Sequence, residues 1–165
     1  MTMDGATHDV GRWDLLIAHP PCTYLTNAAN AHRNKPERHE RTEQAAEFFM
    51  CFVNADVDKI AVENPVGWMN SHYRPADQTI HPYYFEDDPD SPDYQMKRTC
   101  LWLKNLPKLL YMNKPAPLPV FVTQRADGTK KNRYFTEAQG FCKDRAKIRS
   151  KTFPGIARAM AEQWG

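Results

Sequence analysis

The sequence predicts an α/β fold built on a small, mostly parallel sheet that helices flank. Two short apolar segments, 15–18 and 60–62, are each followed within a few residues by proline, and a helical pattern lies between them. The first segment does not alternate apolar with polar residues, which is typical of a strand covered on both faces. A strand, a helix and a second strand in this order predict a right-handed parallel unit.

The first predicted strand, Leu15 to Ala18, stops before Pro20 and Pro21. Proline has no backbone donor and cannot continue a central strand, so we expect Cys22 in the loop just past the carboxyl end of this strand. In open α/β sheets this is the edge at which ligands bind. Two roles stay open for His19, which precedes the prolines: tuning the thiol and capping the strand end.

A helix and a second strand complete the predicted unit. Apolar residues recur at helical spacing in segment 41–54, which predicts an amphipathic helix. The polar stretch before it, 26–39, predicts a loop of the kind that can close over a substrate. Segment 58–65 predicts the second strand, with Glu63 near its end. We therefore expect Cys22 and Glu63 at the same edge of the sheet, on neighbouring strands.

The middle of the chain predicts short elements separated by loops. Residues 66–77 predict a short helix that ends in a turn, and residues 78–85 predict an extended, aromatic-rich piece. The clustered carboxylates and prolines of residues 86–94 predict a solvated acidic loop. Residues 97–104 predict a further strand, and residues 120–122 the short extended end of a proline-rich arm.

The end of the chain predicts another helix. It covers residues 155–164 and is introduced by a proline, the residue favoured at the first helical position. Ile156, Met160 and Trp164 recur at helical spacing, so we expect them to face the sheet.

Length and composition set the class of protein. The 165 residues carry a net charge of +2 and are 41% apolar, which fits one domain, 1–165, with a real core and no overall bias towards polyanions. Residues 1–12 are expected to be a tail. No run is long enough to span a membrane and no signal-peptide pattern is present, so a cytoplasmic protein is expected. The four cysteines lack a Cys-x-x-Cys pair, which predicts free thiols and no metal site.

Segment 124–151 is rich in lysine and arginine. From Lys143 to Lys151 a basic residue occurs at every second position. In an extended segment these side chains would share one face and follow a phosphate backbone. A solvated basic surface is the equal alternative on the pattern alone.

Four motifs together resemble the phage-type DNA cytosine-5 methyltransferases. They are HPPCTYL at 19–25, VENP at 62–65, KRTCLWLKNLP at 97–107 and RSKTFPGIARAMAEQWG at 149–165. The resemblance implies that Cys22 is the nucleophile that attacks C6 of a flipped cytosine and that Glu63 contacts N3. It covers most of the chain after Trp13 and implies part of a Rossmann-like methyltransferase fold.

The resemblance also favours nucleic acid as the partner of the basic segment. It places the substrate near the nucleophile and the Glu-Asn motif, and the phosphates along the basic residues. The residues assigned to the substrate are His19, Pro21, Asn64, Arg145 and Arg149. The residues assigned to nucleic-acid contact are Lys130, Lys131, Arg133, Lys143, Lys147 and Lys151.

S-adenosylmethionine is the cofactor that the resemblance implies, and DNA is the partner. The residues before Trp13 contain no Phe-x-Gly-type loop for this cofactor, so its site is expected to be abbreviated, lost, or completed by a second subunit or polypeptide. Three functions stay open. They are a cytosine-5 methyltransferase, a non-methylating nucleic-acid or nucleotide-binding module with a binding or inhibitory role, and cofactor-independent pyrimidine chemistry by the same cysteine and glutamate.

Overall fold

The computed structural model describes residues 12–27, 36–118, 121–124, 126–128, 130–133 and 153–165. These residues form a mixed α/β structure with a four-stranded open sheet and a separate two-stranded sheet. The strands are β1 (Leu15–Ala18), β2 (Lys59–Pro65), β3 (Gln78–Ile80), β4 (Thr99–Lys104), β5 (Phe121–Gln124) and β6 (Lys130–Arg133). The helices are α1 (Pro36–Val53), α2 (Trp68–His72) and α3 (Pro154–Trp164), and a 3-10 turn, Pro82–Phe85, follows β3.

The sheet is mixed, so the prediction of a mostly parallel sheet is wrong. The strand order is β1-β2-β4-β3, and only β1 and β2 are parallel. β4 runs antiparallel to both β2 and β3. Parallel neighbours need a crossover that is usually a helix. α1 provides one between β1 and β2, whereas the connection from β3 to β4 contains only the 3-10 turn and a loop.

Helices cover both faces of the four-stranded sheet. On one face, Phe49 of α1 packs with Val62 of β2 and Trp102 of β4, and its ring lies edge-on to the Trp102 ring at 5.1 Å. On the other face, Met160 and Trp164 of α3 pack in a cluster with buried residues of β2 and β4. The prediction that α3 faces the sheet is therefore confirmed. β1 contributes to both clusters, as expected of a strand covered on two sides.

Two element boundaries differ from the prediction. α1 begins at Pro36, so residues 36–39 are helical rather than part of the predicted loop. Proline suits the first helical turn because the missing N–H would have no helical partner there, and Glu37 in the same turn complements the helix dipole. The extended piece predicted at 78–85 is a strand only to Ile80, because Pro82 starts the 3-10 turn.

The acidic loop, residues 86–94, contains no helix or strand and is held by side chains of its own and by Lys114. Glu86 Oε1 accepts the backbone N–H groups of Asp87 and Asp88, and Lys114 Nζ lies 2.6 Å from the Asp87 carboxylate. This ion pair lowers the pKa of Asp87.

Within the described part of the chain, no helix combines the length and the apolar character that crossing a bilayer requires.

β5 and β6 form an antiparallel hairpin whose connection contains Gly128. Gly128 has a φ of 81°, the left-handed region that glycine adopts without a steric penalty. The extended end predicted at 120–122 corresponds to β5.

Acid should weaken the fold through His81. The ring is buried beside the rings of Tyr83 and Tyr84, and its Nδ1 has no partner among the described residues. Burial, and then the charge of Arg98, lower the pKa of His81 from 6.5. As the pH falls below about 6.5, His81 therefore binds a proton more readily in the unfolded chain than in the folded one. The free energy of unfolding falls as a result.

Urea unfolding of wild type and His81→Gln at a series of pH values between about 7 and 5 measures this effect. We expect the free energy of unfolding of the variant to fall less steeply with acid than that of wild type. His72→Gln, at an exposed position of α2, is the control and should keep the wild-type slope. An identical slope for wild type and His81→Gln would contradict the assignment.

Candidate active site

The parallel register of β1 and β2 organises the candidate site. Each residue of β1 pairs with the residue 44 positions later, from Leu15 with Lys59 to Ala18 with Val62. Beyond the ladder, the same spacing relates His19 to Glu63 and Pro20 to Asn64. Side chains at paired positions of parallel strands point to the same face of a sheet. The prediction that β1 and β2 are parallel neighbours is confirmed, so the Cys22 loop and the end of β2 with Glu63 lie towards the same edge of the sheet.

His19 and Glu63 are in direct contact. His19 Nδ1 lies 2.8 Å from Glu63 Oε2, and the two side chains are 36% and 21% exposed. With its hydrogen on Nδ1, His19 donates to the carboxylate and fixes its orientation. One carboxylate oxygen then remains for another donor. The sequence did not pair these two residues, although their separation of 44 matches the strand register.

Asn64 ties the two strand ends together from inside. Its side chain is 1% exposed, and Nδ2 donates to the carbonyl oxygen of Pro20 at 2.9 Å. Its Oδ1 is buried without a partner among the described residues. The role that the geometry gives Asn64 is to hold the Pro20-Pro21 segment ahead of Cys22. A contact of Asn64 or Pro21 with substrate stays a prediction.

The residues after Cys22 form a tight turn that is hydrogen-bonded to the segment after β2. The carbonyl of Cys22 accepts the N–H groups of Leu25 and Thr26, both at 3.0 Å. Thr26 and Gly67 then form an antiparallel bridge, and Trp68 N–H donates to the Leu25 carbonyl at 2.7 Å. Cys22 therefore lies in a short turn whose backbone is held on both sides.

The three described cysteines differ in exposure. Cys22 and Cys51 are exposed, Cys100 is buried in β4, and none of the three is in a disulfide. Cys100 contacts Asn70 and Thr79 through its sulfur, as a packed residue of the core does. Of the two exposed thiols, only Cys22 lies at the sheet edge that carries Glu63, whereas Cys51 is in α1. Cys142 lies outside the described residues.

The first turns of α1 pack against the Cys22 loop, which the sequence did not predict. Arg38 donates to the Thr23 carbonyl at 2.9 Å, and Arg41 donates to the Tyr24 hydroxyl at 2.8 Å. Thr42 is buried and donates to the Arg38 carbonyl at 2.8 Å. The only signal in the sequence was the spacing of Arg38 and Arg41, which places them on one flank of a helix that begins at Pro36.

The structure locates only part of the predicted basic surface. The residues that it places in a strand are Lys130, Lys131 and Arg133, all in β6. Those that lie outside the described residues are Lys143, Arg145, Lys147, Arg149 and Lys151. Nucleic-acid contact by this segment stays a prediction.

No protein-family model, curated protein or solved structure matches this chain. Among the described residues, no group of three or more His, Cys, Asp or Glu side chains is placed to hold a metal ion. A proposal for the function therefore depends on the geometry of the sheet edge next to Cys22 and Glu63, and on the sequence motifs that contain these two residues.

Gly67 should be indispensable for this geometry. A Cβ atom at this position would lie 1.9 Å from the Leu25 carbonyl oxygen, so any side chain must push the two backbones apart. We expect Gly67→Ala to lower the free energy of unfolding by about 2 kcal/mol, as overpacking against backbone does. Urea unfolding measures the loss.

Ser71→Ala, in the helix that starts at Trp68, is the matched control for Gly67→Ala. It removes an exposed hydroxyl that donates to the Trp68 carbonyl and should change stability by less than about 0.5 kcal/mol. Equal stabilities of Gly67→Ala and wild type would show that the close contact is not required.

Proposed function

We propose that this chain carries out cytosine-5 methyltransferase-type chemistry on DNA, with Cys22 as the nucleophile and Glu63 as the group at N3 of the base. The observation that supports it is the parallel pairing of β1 and β2. This pairing brings the exposed thiol of Cys22 and the Glu63 carboxylate, which contacts His19, to one edge of the sheet. The β1-α1-β2 unit is, in this proposal, the part that is similar to a Rossmann-like methyltransferase fold.

The chemistry starts with addition of the thiolate to the ring. As the bond from Cys22 Sγ to C6 forms, the C5–C6 double bond breaks and its electron pair becomes available at C5. A solvent proton then binds C5. Loss of the original C5 proton to solvent and expulsion of the thiolate restore the double bond. The net result is exchange of the C5 hydrogen, and no other reactant is consumed.

Glu63 offsets the charge that the addition places in the ring. Thiolate addition makes N3 more basic, and a carboxyl group there provides or shares a proton as charge develops. His19 holds one carboxylate oxygen at 2.8 Å, so the carboxylate does not need to reorient during the reaction. His19 is therefore a positioning residue that acts through Glu63.

Two of the four described glycines, Gly67 and Gly155, offer no cradle for S-adenosylmethionine. Glycines bind such a ligand by letting the backbone come close to it. At Gly67 and Gly155, the space that a Cβ would take is filled by the carbonyl groups of Leu25 and Phe85. These glycines serve packing within the chain, so the steps above end at hydrogen exchange and none is derived through the cofactor.

A second candidate is a non-methylating protein that binds a nucleic acid or nucleotide at the same edge. The close approach of chain carbonyl groups at Gly67 and Gly155 favours it. This candidate predicts binding of cytosine-containing DNA without exchange at C5. Cofactor-independent pyrimidine chemistry, in contrast, predicts exchange that S-adenosylmethionine does not alter.

Exchange of the C5 hydrogen is the direct test of the proposed function. We expect the full chain to release tritium from DNA that contains [5-tritio]cytosine, because the C6 adduct labilises the C5 hydrogen. Cys22→Ser should abolish the release, since a serine hydroxyl is a far weaker nucleophile at neutral pH. Assays with and without S-adenosylmethionine separate the methyltransferase from cofactor-independent chemistry.

Cys51→Ser is the matched control, because it removes the other exposed thiol of the described residues, which lies in a helix, and should leave the rate unchanged. A Cys22→Ser variant with the wild-type release rate would refute the assignment of the nucleophile.

Glu63→Gln should lower the rate of exchange about 100-fold while changing DNA affinity little, because the charge that the carboxyl group offsets arises only during reaction. His19→Gln should give a smaller loss of the same kind. Single-turnover tritium release and equilibrium DNA binding separate the two effects. A Glu63→Gln variant whose only defect is weaker DNA binding would make Glu63 a binding residue.

A further inference from the structure

A groove begins directly beside the candidate nucleophile. Pro21 and Thr23, the chain neighbours of Cys22, both line it, and the opposite wall is formed by α1 with Arg41 and Phe48. Its volume is about 420 Å³, within the range of about 300–1,000 Å³ that is usual for ligand sites. The groove therefore adjoins the position at which a reacting base would meet Cys22.

Two arginines gather around one tyrosine at this groove. The guanidinium carbons of Arg38 and Arg41 lie 4.5 Å and 5.8 Å from the centroid of the Tyr24 ring. Each guanidinium donates one hydrogen bond to the loop, Arg38 to the Thr23 carbonyl and Arg41 to the Tyr24 hydroxyl. A guanidinium has five N–H donors, so most of them remain for another acceptor.

Two of the four carboxylates of α1 lie on other flanks of the helix. Glu43 contacts His39 at 3.5 Å, and Glu47 lines a different groove, the one between α1 and α2. The other two, Glu37 and Glu40, are near Arg41 and help to raise its pKa. Glu40 Oε1 also accepts from Gln44, which lines the groove beside Cys22. The groove thus has Arg41 in its wall, Arg38 next to it on Tyr24, and two carboxylates near Arg41.

We propose that Arg38, Arg41 and Tyr24 bind the phosphate of the nucleotide next to the base that reaches Cys22, and that Phe48 receives the neighbouring base. Two cations held by one ring repel each other, and a phosphate between them offsets this repulsion with charge-assisted hydrogen bonds. Phe48 is 50% exposed and lines the same groove, which suits base stacking. The inference rests on the proposed function only for the place of the reacting base.

A methylphosphonate scan tests the phosphate contact. The probe is a single-stranded thymidine oligonucleotide with one central cytosine, in which each phosphate in turn is replaced by a neutral methylphosphonate. Binding to the full chain is measured by fluorescence anisotropy. We expect the neutral linkage next to the cytosine to weaken wild-type binding about tenfold, the effect of losing a charge-assisted contact.

The double variant Arg38→Gln/Arg41→Gln should bind the unmodified oligonucleotide about tenfold more weakly and should no longer respond to that linkage, because the two changes remove the same interaction. Its logarithmic salt slope should fall by about 0.7, the value for one phosphate on a single strand. Arg38→Lys/Arg41→Lys keeps both charges and should keep the salt slope. Glu40→Gln should tighten binding, since it removes one of the two carboxylates near Arg41.

Lys59→Gln is the matched control, because it removes one charge at the opposite end of β2 and should leave both the scan and the salt slope unchanged. Thermal unfolding of each variant identifies any loss of structure. A double variant that folds and still loses affinity at the same neutral linkage would overturn the phosphate assignment, as would a scan in which no linkage next to the cytosine matters.

The outcomes for this site and for the proposed function are separable. In one outcome, the wild-type chain releases tritium from the oligonucleotide, but the double arginine variant responds to the scan like wild type. This outcome would support the chemistry and refute the phosphate site. In the other outcome, the scan gives the expected result but the chain releases no tritium. This outcome would support the phosphate site and refute the proposed enzymatic function.

Discussion

The candidate site depends on the hydrogen-bonded pairing of two parallel strands, β1 and β2. This pairing fixes a spacing of 44 residues, and the same spacing holds for the contact between His19 and Glu63 and for that between Asn64 and Pro20. A slip of one residue would turn each side chain to the other face of the sheet. The register therefore decides at once which carboxylate meets the histidine and which amide supports the proline turn.

Backbone contacts also fix the position of the turn that follows Cys22, beyond the end of β1. The turn after Cys22 returns to the segment that follows β2, where Gly67 lets the two backbones approach and the Trp68 N–H reaches the Leu25 carbonyl at 2.7 Å. Loops that carry reactive groups are usually placed by a rigid scaffold. Here the scaffold includes a main-chain bridge between Thr26 and Gly67, which ties the turn that carries the exposed thiol to the segment after β2.

The first turns of α1 lie at the same edge. The parallel crossover places the start of this helix beside the end of β1, and Arg38 and Arg41 then meet Tyr24 of the Cys22 loop. In the proposed reaction, the strand ends act on the base while the helix holds the adjoining phosphate. In this proposal, a single β-α-β unit would provide both chemistry and strand binding.

The sequence by itself determined the elements and their order around the site. Apolar runs ended by proline predict β1 and β2, and helical spacing predicts most of α1 and α3, because these signals are local to the chain. The meeting of Cys22 and Glu63 at one edge follows from the parallel unit. Only the tertiary structure decided the antiparallel position of β4, the contact of His19 with Glu63, the burial of Asn64 and the arginine pair on Tyr24. These features depend on strand register and on packing between segments that are far apart in sequence, and local periodicity carries no information about either.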